Sequence, residues 1–555
     1  MRSAKRFAVL WVAVTLLILV LPVNAQDDIT FQQGDRVIVL PDVLPVRTGT
    51  DETHPIVTEL WGGMVTRVVA VVSSEAGETW VYLENNAYGW VPAKISGQFT
   101  LALFSEAALD QMLAETNAAL SSDPNAVSAY LRRGTISLSR EDYAAAVSDY
   151  SQAIELAPDE TRLYEYLGKA FLDRGDGVQA ELNFQRVIDA GTVLPGVLNR
   201  MSISYQLQDR WGLAREYIVR AQNLVPEWGL VNASAAFIFS HYDDMTSDTL
   251  TYYSWAIERD PYYVGALHLR AQFYQDQGDI EAALDDLNLA IEIDPFYVGA
   301  YLRRGIIMSN EYGDTEAALA DFNYAIGLDP TDDRVYAARG LNYLRRGETE
   351  LGINDLKQAL ALNPNNENAA HNLAYVFGLE ARYTESLAIY TSLLQADLYD
   401  HFTSLLYRAM VYIALGQYEL ALTDVDQFLT DTSMRADFVT VAYLLRGAID
   451  LYKRQYAMAL ADYSMGFMAY PEFVTDYGTY GQGYWIAPGH LQDAEAVRSQ
   501  LSNTAADADI YEQMGAIYME FGQWEAALDV YRQALALRPN ADLEAFVNQF
   551  EIFIR

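Results

Sequence analysis

Prolines fall at positions 124, 158, 226, 261, 295, 330 and 364, with spacings of 34, 68, 35, 34, 35 and 34 residues. Two more, at 471 and 539, are again 68 apart. These are single or double steps of one period. A chain that repeats every 34 residues is a stack of small units sharing one extended core, so its 555 residues need not divide into large globular domains. The wording repeats as well. "YLRRGTISLSREDYAAAVSDYSQAIELAPD" starts at Tyr130 and "YLRRGIIMSNEYGDTEAALADFNYAIGLDPT" at Tyr301, five periods and one residue later.

Each unit reads as two helices. In "YLRRGIIMS", Tyr301, Gly305 and Met308 share a face at spacings of four and three; in "TEAALADFNYAIGL", Ala318, Phe322, Ala325 and Ile326 do the same. "EYGD" turns the chain between them, and "DP" stops the second helix because proline cannot continue it. Small Gly305 and Ala318 admit close helix contact, with Phe322 filling the space beside them. Such a pair leaves an apolar face open and must stack on neighbours.

At these positions the chain resembles the tetratricopeptide repeat family, which places an aromatic or Leu, Gly, a large residue, Ala, an aromatic, Ala and Pro at set offsets. Here they are Tyr130, Gly134, Ala146, Tyr150, Ala153 and Pro158, and again Tyr511, Gly515, Tyr518, Ala527, Tyr531, Ala534 and Pro539. About eleven units span 127–540, degenerate near 195–263 and 367–435. The fold expected from the resemblance is mainly α, a right-handed helical-repeat solenoid. Repeats occupy 127–473 and 508–540. A packing helix over 101–124, within which "LFSEAALDQMLAETNAAL" (103–120) is amphipathic, precedes them. A capping helix over 541–555 follows, with Leu543, Phe546, Val547 and Phe550 on one face.

Residues 29–96 differ in texture. "RVIVL", "MVTRVVAVV", "TWVYLE" and "YGWVPA" are short β-branched and aromatic runs broken by Gly, Pro and Asn, which predicts a small all-β unit. The order "VLPVRTG", Gly63, "WVYL" and "GWV" resembles the bacterial SH3-like domain, although Pro45 stands where that family often has Asn and "TGT" lacks the following Pro. The resemblance implies a small barrel that contacts cell-wall peptides or glycans. Trp90 is expected in its core.

The start of the chain is read as a signal segment, 1–25. A basic "MRSAKR" precedes the 17-residue apolar run "FAVLWVAVTLLILVLPV", and Val23-Asn24-Ala25 offers small residues for cleavage after Ala25. The alternative is an uncleaved anchor at the short limit for crossing a bilayer. The chain has no cysteine, which excludes disulfides, thiol catalysis and thiolate metal sites. A net charge of −38 repels phosphate backbones and anionic lipid, arguing against nucleic-acid or membrane-surface partners.

Catalytic signals are lacking in the sequence. His54, His241, His268, His371, His401 and His490 include no pair at metal-binding helical spacing, and no GxSxG, Walker or HExxH motif occurs. Asp243-Asp244, Asp285-Asp286 and Asp332-Asp333 are adjacent on the chain and point in different directions, as on solvated faces. The expectation is a non-enzyme without cofactor or metal. One polar pairing recurs. Arg133, Arg270, Arg304, Arg339, Arg408 and Arg446 in the first helices match Asp149, Asp286, Asp321, Asp355, Asp424 and Asp462 in the second, and read as ion pairs tying each unit together.

The family resemblance implies that first helices line a concave groove. Projection places His268, Gln272, Leu302, Ile306, Leu341, Arg345, His371, Tyr375, Met410 and Ile413 toward it, a polar-to-apolar face suited to an extended peptide or a partner helix. Some of these apolar residues serve equally well to seal neighbouring repeats. The insertion 474–507 contains "VTDYGTYGQGYWIAPGH", where Tyr480, Tyr484 and Trp485 beside Gly offer possible ligand contacts or pack as a self-contained loop. Two functional expectations follow. One is an exported scaffold binding a neutral or basic protein or peptide in the groove; the other is a cell-wall-binding protein acting through 29–96, with the repeats as spacer.

Overall fold

Each helix pair turns on a short local signal. In "RGDGVQA", "QGDIEAA" and "YGDTEAA", Gly175, Gly278 and Gly313 take φ of +83°, +80° and +64°, the left-handed conformation that closes a first helix. The Asp that follows caps the second helix: Asp176, Asp279 and Asp314 each accept from the backbone N–H three residues on. The aromatic early in the first helix also has a partner. Tyr130, Tyr164 and Tyr301 donate to the carbonyls of Pro124, Pro158 and Pro295 at 3.2–3.3 Å.

A computed structural model describes residues 30–554 apart from 42, 63, 75–77, 85–88, 96–97, 192–193, 242–245, 396–400, 431–435, 470–500, 502–503, 505–506 and 521. The signal segment, Gly63 and the aromatic insertion with Tyr480, Tyr484 and Trp485 lie outside the described residues. The chain divides into two compact units, the first ending at Arg304 and the second starting at Gly305.

The first unit opens with an antiparallel sheet of β1 (Arg36–Val39), β2 (Val43–Arg47), β3 (Ile56–Trp61), β4 (Val65–Ser73), β5 (Thr79–Leu83), β6 (Gly89–Pro92) and β9 (Leu101–Leu103), in the order β3-β2-β6-β5-β4-β1-β9. A separate ribbon pairs β7 (Lys94–Ile95) with β8 (Gln98–Phe99). The sheet thus runs past the expected end at residue 96, because β9 pairs with β1 through Val37↔Leu103 and Val39↔Leu101. For the same reason the packing helix α1 (Glu106–Ser122) starts later than its apolar pattern suggests, after the Ser105 cap. Pro45 sits in β2, between β3 and β6, where a missing N–H is costly. It is tolerated because β2 meets β6 only at Arg47↔Trp90.

The helices of this unit follow in pairs: α2 (Val127–Ser139) with α3 (Tyr143–Leu156), α4 (Arg162–Asp173) with α5 (Gly177–Asp189), and α6 (Pro195–Gln206) with α7 (Trp211–Leu224). Next come α8 (Gly229–Phe239) with α9 (Thr246–Arg259) and α10 (Val264–Asp276) with α11 (Ile280–Ile293). The unit boundary falls inside α12 (Val298–Asn310). In the second unit, α13 (Thr315–Leu328) follows, then α14 (Asp333–Arg345) with α15 (Thr349–Leu362) and α16 (Glu367–Leu379) with α17 (Tyr383–Gln395). The last are α18 (His401–Ala414) with α19 (Tyr418–Phe428), α20 (Ala436–Tyr452) with α21 (Tyr456–Ala469), α22 (Ala508–Glu520) with α23 (Trp524–Leu537), and α24 (Ala541–Ile554). Among the described residues this gives eleven pairs, degenerate stretches included. Helix α24 closes the array: Leu543, Phe546, Val547 and Phe550 are all at most 3% exposed.

Close packing within a pair rests on the glycine–aromatic contact. A Cβ at Gly134 would come 2.7 Å from the Tyr150 ring, and one at Gly305 would come 2.6 Å from Phe322. The recurring ion pair closes the helix pairs of both compact units. Arg133–Asp149, Arg270–Asp286, Arg339–Asp355, Arg408–Asp424 and Arg446–Asp462 close at 2.6–2.7 Å. The sequence did not foretell the arginine's second partner. Arg133, Arg270 and Arg339 also donate to Asn117, Ser254 and Asn323, one helix earlier and 16 residues back. In these three the guanidinium joins three helices and stitches its own pair to the preceding one.

Candidate interaction groove

In the first unit the β-sheet packs against the first helices of the leading repeats. Ile38 joins a buried cluster with Leu109, Met112 and Ile136, and the backbone N–H of Val65 donates to Ser139 Oγ at the end of α2. Trp61 lies 3.9 Å from the Tyr166 ring of α4, centroid to centroid. A Cβ at Gly196 of α6 would meet Thr58 at 2.8 Å, so only glycine admits the strand. Trp90, 7% exposed, meets Tyr262 edge-on at 5.3 Å. Its burial thus depends partly on the repeats.

Polar anchors fix this seam. Arg67 of β4 holds Glu84 and, across to the repeats, Asp294, which is 0% exposed, with Nη1 and Nη2 at 2.8 and 2.7 Å from its two oxygens. Tyr82 donates to Asp260 at 2.6 Å, and burial pushes that carboxyl up to about 7. Arg200 of α6 donates to Glu165 at 2.6 Å and to Thr58 Oγ1 at 2.9 Å.

Beside the seam lies an open trough formed by α4, α6, α8 and α10. A cavity of about 290 Å3 is lined by Leu172, Ile203, Leu230, Phe237 and Leu269, with Lys169, Asp173, Asn199, Arg200, Gln206 and Ser234 among its polar residues. A second, of about 300 Å3, shares Phe237 and Leu269 and continues past His241 and Gln272 to Asp276. Lys169, 3% exposed, donates to both oxygens of Asp173, and burial lowers its pKa. Two buried atoms at the trough have no hydrogen-bond partner, the acceptor Asn199 Oδ1 and the donor Arg200 Nε. Such groups are costly unless something pairs with them.

The structure separates the residues that projection had grouped. Gln272 lines the trough, and both it and His268 engage Arg303, at 3.0 and 3.4 Å. Leu302 is only 9% exposed. In the second unit Ile306, Leu341, His371 and Tyr375 are partly buried and Arg345 is exposed. Tyr375 and His371 meet Tyr407 edge-on at 5.7 and 4.7 Å, and Arg345 donates to Ser309 at 2.8 Å. Met410 and Ile413 are core residues instead, 4% and 1% exposed, within the large apolar cluster of this unit. They pack helix on helix.

Sequence reading missed Lys169, Asn199 and Arg200, because two of them lie in a stretch whose repeat motif is weak. A signal was present. Glu165 and Arg200 are opposite charges 35 residues apart, about one period, and Lys169–Asp173 is a helical i,i+4 pair. Among the described residues, no group of three His, Cys, Asp or Glu could hold a metal, and no helix is long and apolar enough to cross a membrane.

Three tetratricopeptide repeat families match the chain: one at 508–541, a second at 113–160 and 131–195, and a third at 264–297 and 333–366. These stretches are tetratricopeptide repeats. No curated protein matches the sequence significantly. Solved structures that match include YrrB, described as a tetratricopeptide repeat protein with an unusual peptide-binding site (19% identity, 34% of this chain and 97% of that one, TM-score 0.27). Another is a tetratricopeptide repeat protein from Parabacteroides merdae (19%, 50% and 93%, TM-score 0.31). A third is a monomeric mutant of IFIT1 with Gppp-AAAA (14%, 77% and 95%, TM-score 0.36).

Proposed function

We propose that this chain, built from tetratricopeptide repeats, is an exported, non-catalytic scaffold that holds an extended protein or peptide segment in the trough of α4, α6, α8 and α10. The observation that carries the reading is the pair of buried, unpartnered atoms on adjacent residues, Asn199 Oδ1 and Arg200 Nε, in a trough with apolar walls. A peptide backbone supplies what they lack, an N–H for the first and a carbonyl for the second, and its side chains suit Leu172, Ile203 and Phe237. The local charges of Lys169 and Arg200 are already offset by Asp173 and Glu165, so an uncharged backbone fits better than an ion. Outside the contact the partner is neutral or basic, complementing the net charge of −38. Export rests on the N-terminal basic, apolar and small-residue pattern, and predicts a mature chain beginning at Gln26.

The test is selection of a random extended-peptide library on the wild-type protein, followed by affinities on Asn199→Leu and Phe237→Asp, each checked for an unchanged melting temperature. Binding is expected to fall about tenfold or more in both, the scale of one lost anchoring contact. The Ile306→Asp, Tyr375→Asp double variant, which charges the partly buried face of the second unit, should leave these peptides bound. Peptides that keep full affinity for the two trough variants but lose it in the double variant move the working surface to the second unit.

A further inference from the structure

A separate cavity of about 290 Å3 lies where the end of β3 meets α2 and α4, and it shares no lining residue with the trough. Val43, Trp61, Leu131 and Tyr166 give it apolar walls, with Trp61 and Tyr166 in near contact. Its polar features are mostly donors. Trp61 is 1% exposed, and its indole N–H has no acceptor, whereas a buried indole N–H ordinarily finds one. The first turns of two helices also border the cavity, α2 through Val127 and Ser128 and α4 through Arg162. Neither Ala126 nor Thr161, at the respective N-caps, makes a side-chain capping bond. Two helix N-termini thus leave backbone N–H groups and the positive ends of their dipoles beside the cavity. Arg132 and Arg162 add two guanidinium groups in a chain whose net charge is −38. Carboxylates stand nearby as well: Glu160, exposed on the rim, Glu59, which faces Arg162 and whose pKa is raised by burial, and Glu165 in the first turn of α4, which is held by Arg200.

We propose that this seam is a second binding site, for a carboxylate carried on an apolar body. The carboxylate would take the Trp61 N–H, the helix N-termini and the arginines, while the body lies against Trp61 and Tyr166. Glu59, Glu160 and Glu165 set the limit: with carboxylates already present, a singly charged group is accommodated and a doubly charged phosphate is repelled.

The probe is N-acetyl-L-phenylalanine, compared with its uncharged amide and with inorganic phosphate, on the mature full-length protein labelled with 5-fluorotryptophan. The Trp61 fluorine line is assigned by its loss in Trp61→Phe. The acid should shift that line to saturation, the amide should bind about tenfold more weakly, and phosphate should leave the line in place. Arg162→Gln, an exposed position, should weaken the acid several-fold and leave the amide unchanged. A Trp61 line unmoved by the acid, or equal affinities for acid and amide, overturns the proposal. A line moved by phosphate overturns its apolar part. Should Trp61→Phe not fold, calorimetry of acid against amide on the wild type decides by the same ratio. Because the trough variants share no residue with this cavity, either site can fail without the other.

Discussion

Asp260 in the first unit and Glu520 in the second carry the same device: each accepts a tyrosine hydroxyl, from Tyr82 at 2.6 Å and Tyr452 at 2.5 Å, and burial pushes each up to about 7. Their settings differ. Tyr82–Asp260 joins the sheet to the repeats, beside Arg67–Asp294 and Arg200–Thr58. Tyr452–Glu520 joins α20 to α22, helices that already share a buried apolar cluster extending from Ala374 to Phe550. Where a repeat stacks on a copy of itself, the period matches one apolar face to the next and burial alone aligns them. A sheet has no period in common with helices, so directional bonds must set where it sits. The first unit is therefore the more sensitive to loss of a single polar group.

Removing Arg67 is the sharpest way to break that contrast. Arg67→Ala strands Asp294, 0% exposed, beside Glu84 with no cation between them. Losing one partner of a buried pair costs about 3–5 kcal/mol. Thermal unfolding should show an early transition confined to the first unit, read by a probe on Trp61 or Trp90, with the second unit unmoved. An unchanged melting curve would show that apolar packing alone holds the sheet.

A smaller and more even effect is expected from the glycines that both units share. In Gly168→Ala the new Cβ would lie 2.8 Å from the Phe184 ring, and in Gly515→Ala it would press on Tyr531, which is 1% exposed. Overpacking of this kind costs about 1–3 kcal/mol. Comparable losses in chemical denaturation of both variants are the expected outcome. A loss in only one unit would mean that the two cores are not built alike.

Next in size is the pH response. Asp260 and Glu520 titrate near 7 when folded and near 4 when unfolded, so between about pH 4 and 7 the unfolded chain releases protons that the folded chain keeps. Each group's contribution to stability thus falls as pH rises through that window and is level above it. Asp260→Asn and Glu520→Gln keep an acceptor for the tyrosine and remove the titration. The melting temperature of wild type minus that of either variant should be higher at pH 5 than at pH 8. A difference independent of pH would mean that the carboxylates are solvated.

These contrasts also mark what could be read from the sequence. The helix pairs, the glycine–aromatic contacts and the capping helix were legible because they repeat at fixed offsets, and a period averages over weak copies. Strand β3, "IVTELW", was not singled out: it is one short run with no repeat to support it. Residues 101–103 were assigned to the packing helix because "LAL" carries no sign of pairing with a strand more than sixty residues earlier. The anchors were invisible for the same reason, since 227 residues separate Arg67 from Asp294. Projection onto a helix face grouped Gln272, which lines a cavity, with Met410 and Ile413, which are buried. It cannot tell a wall that faces an opening from one that faces the next helix.

The smallest expected effect tests the stitch that both units have in common. Arg339 donates to Asp355 through Nε at 2.7 Å and Nη2 at 3.0 Å, and to Asn323 through Nη1 at 2.7 Å. The arginine side chain is 17% exposed and the aspartate 12%, which places the pair between a surface ion pair worth about 0–1 kcal/mol and a buried one. Its bidentate geometry favours the upper end of the surface range, about 1 kcal/mol. A double-mutant cycle on Arg339→Ala and Asp355→Ala should return that coupling, and one on Arg339→Ala and Asn323→Ala a few tenths of a kcal/mol, as expected for an exposed neutral acceptor. Arg133 with Asp149 and Asn117 gives the same cycle in the first unit, where its arginine is more exposed, at 32%, and the coupling should be weaker. If the Asn323 coupling equals that of Asp355, the arginine serves the joint between successive repeats as much as the unit itself. If both couplings vanish, the recurring pair only decorates a stack that apolar packing already aligns.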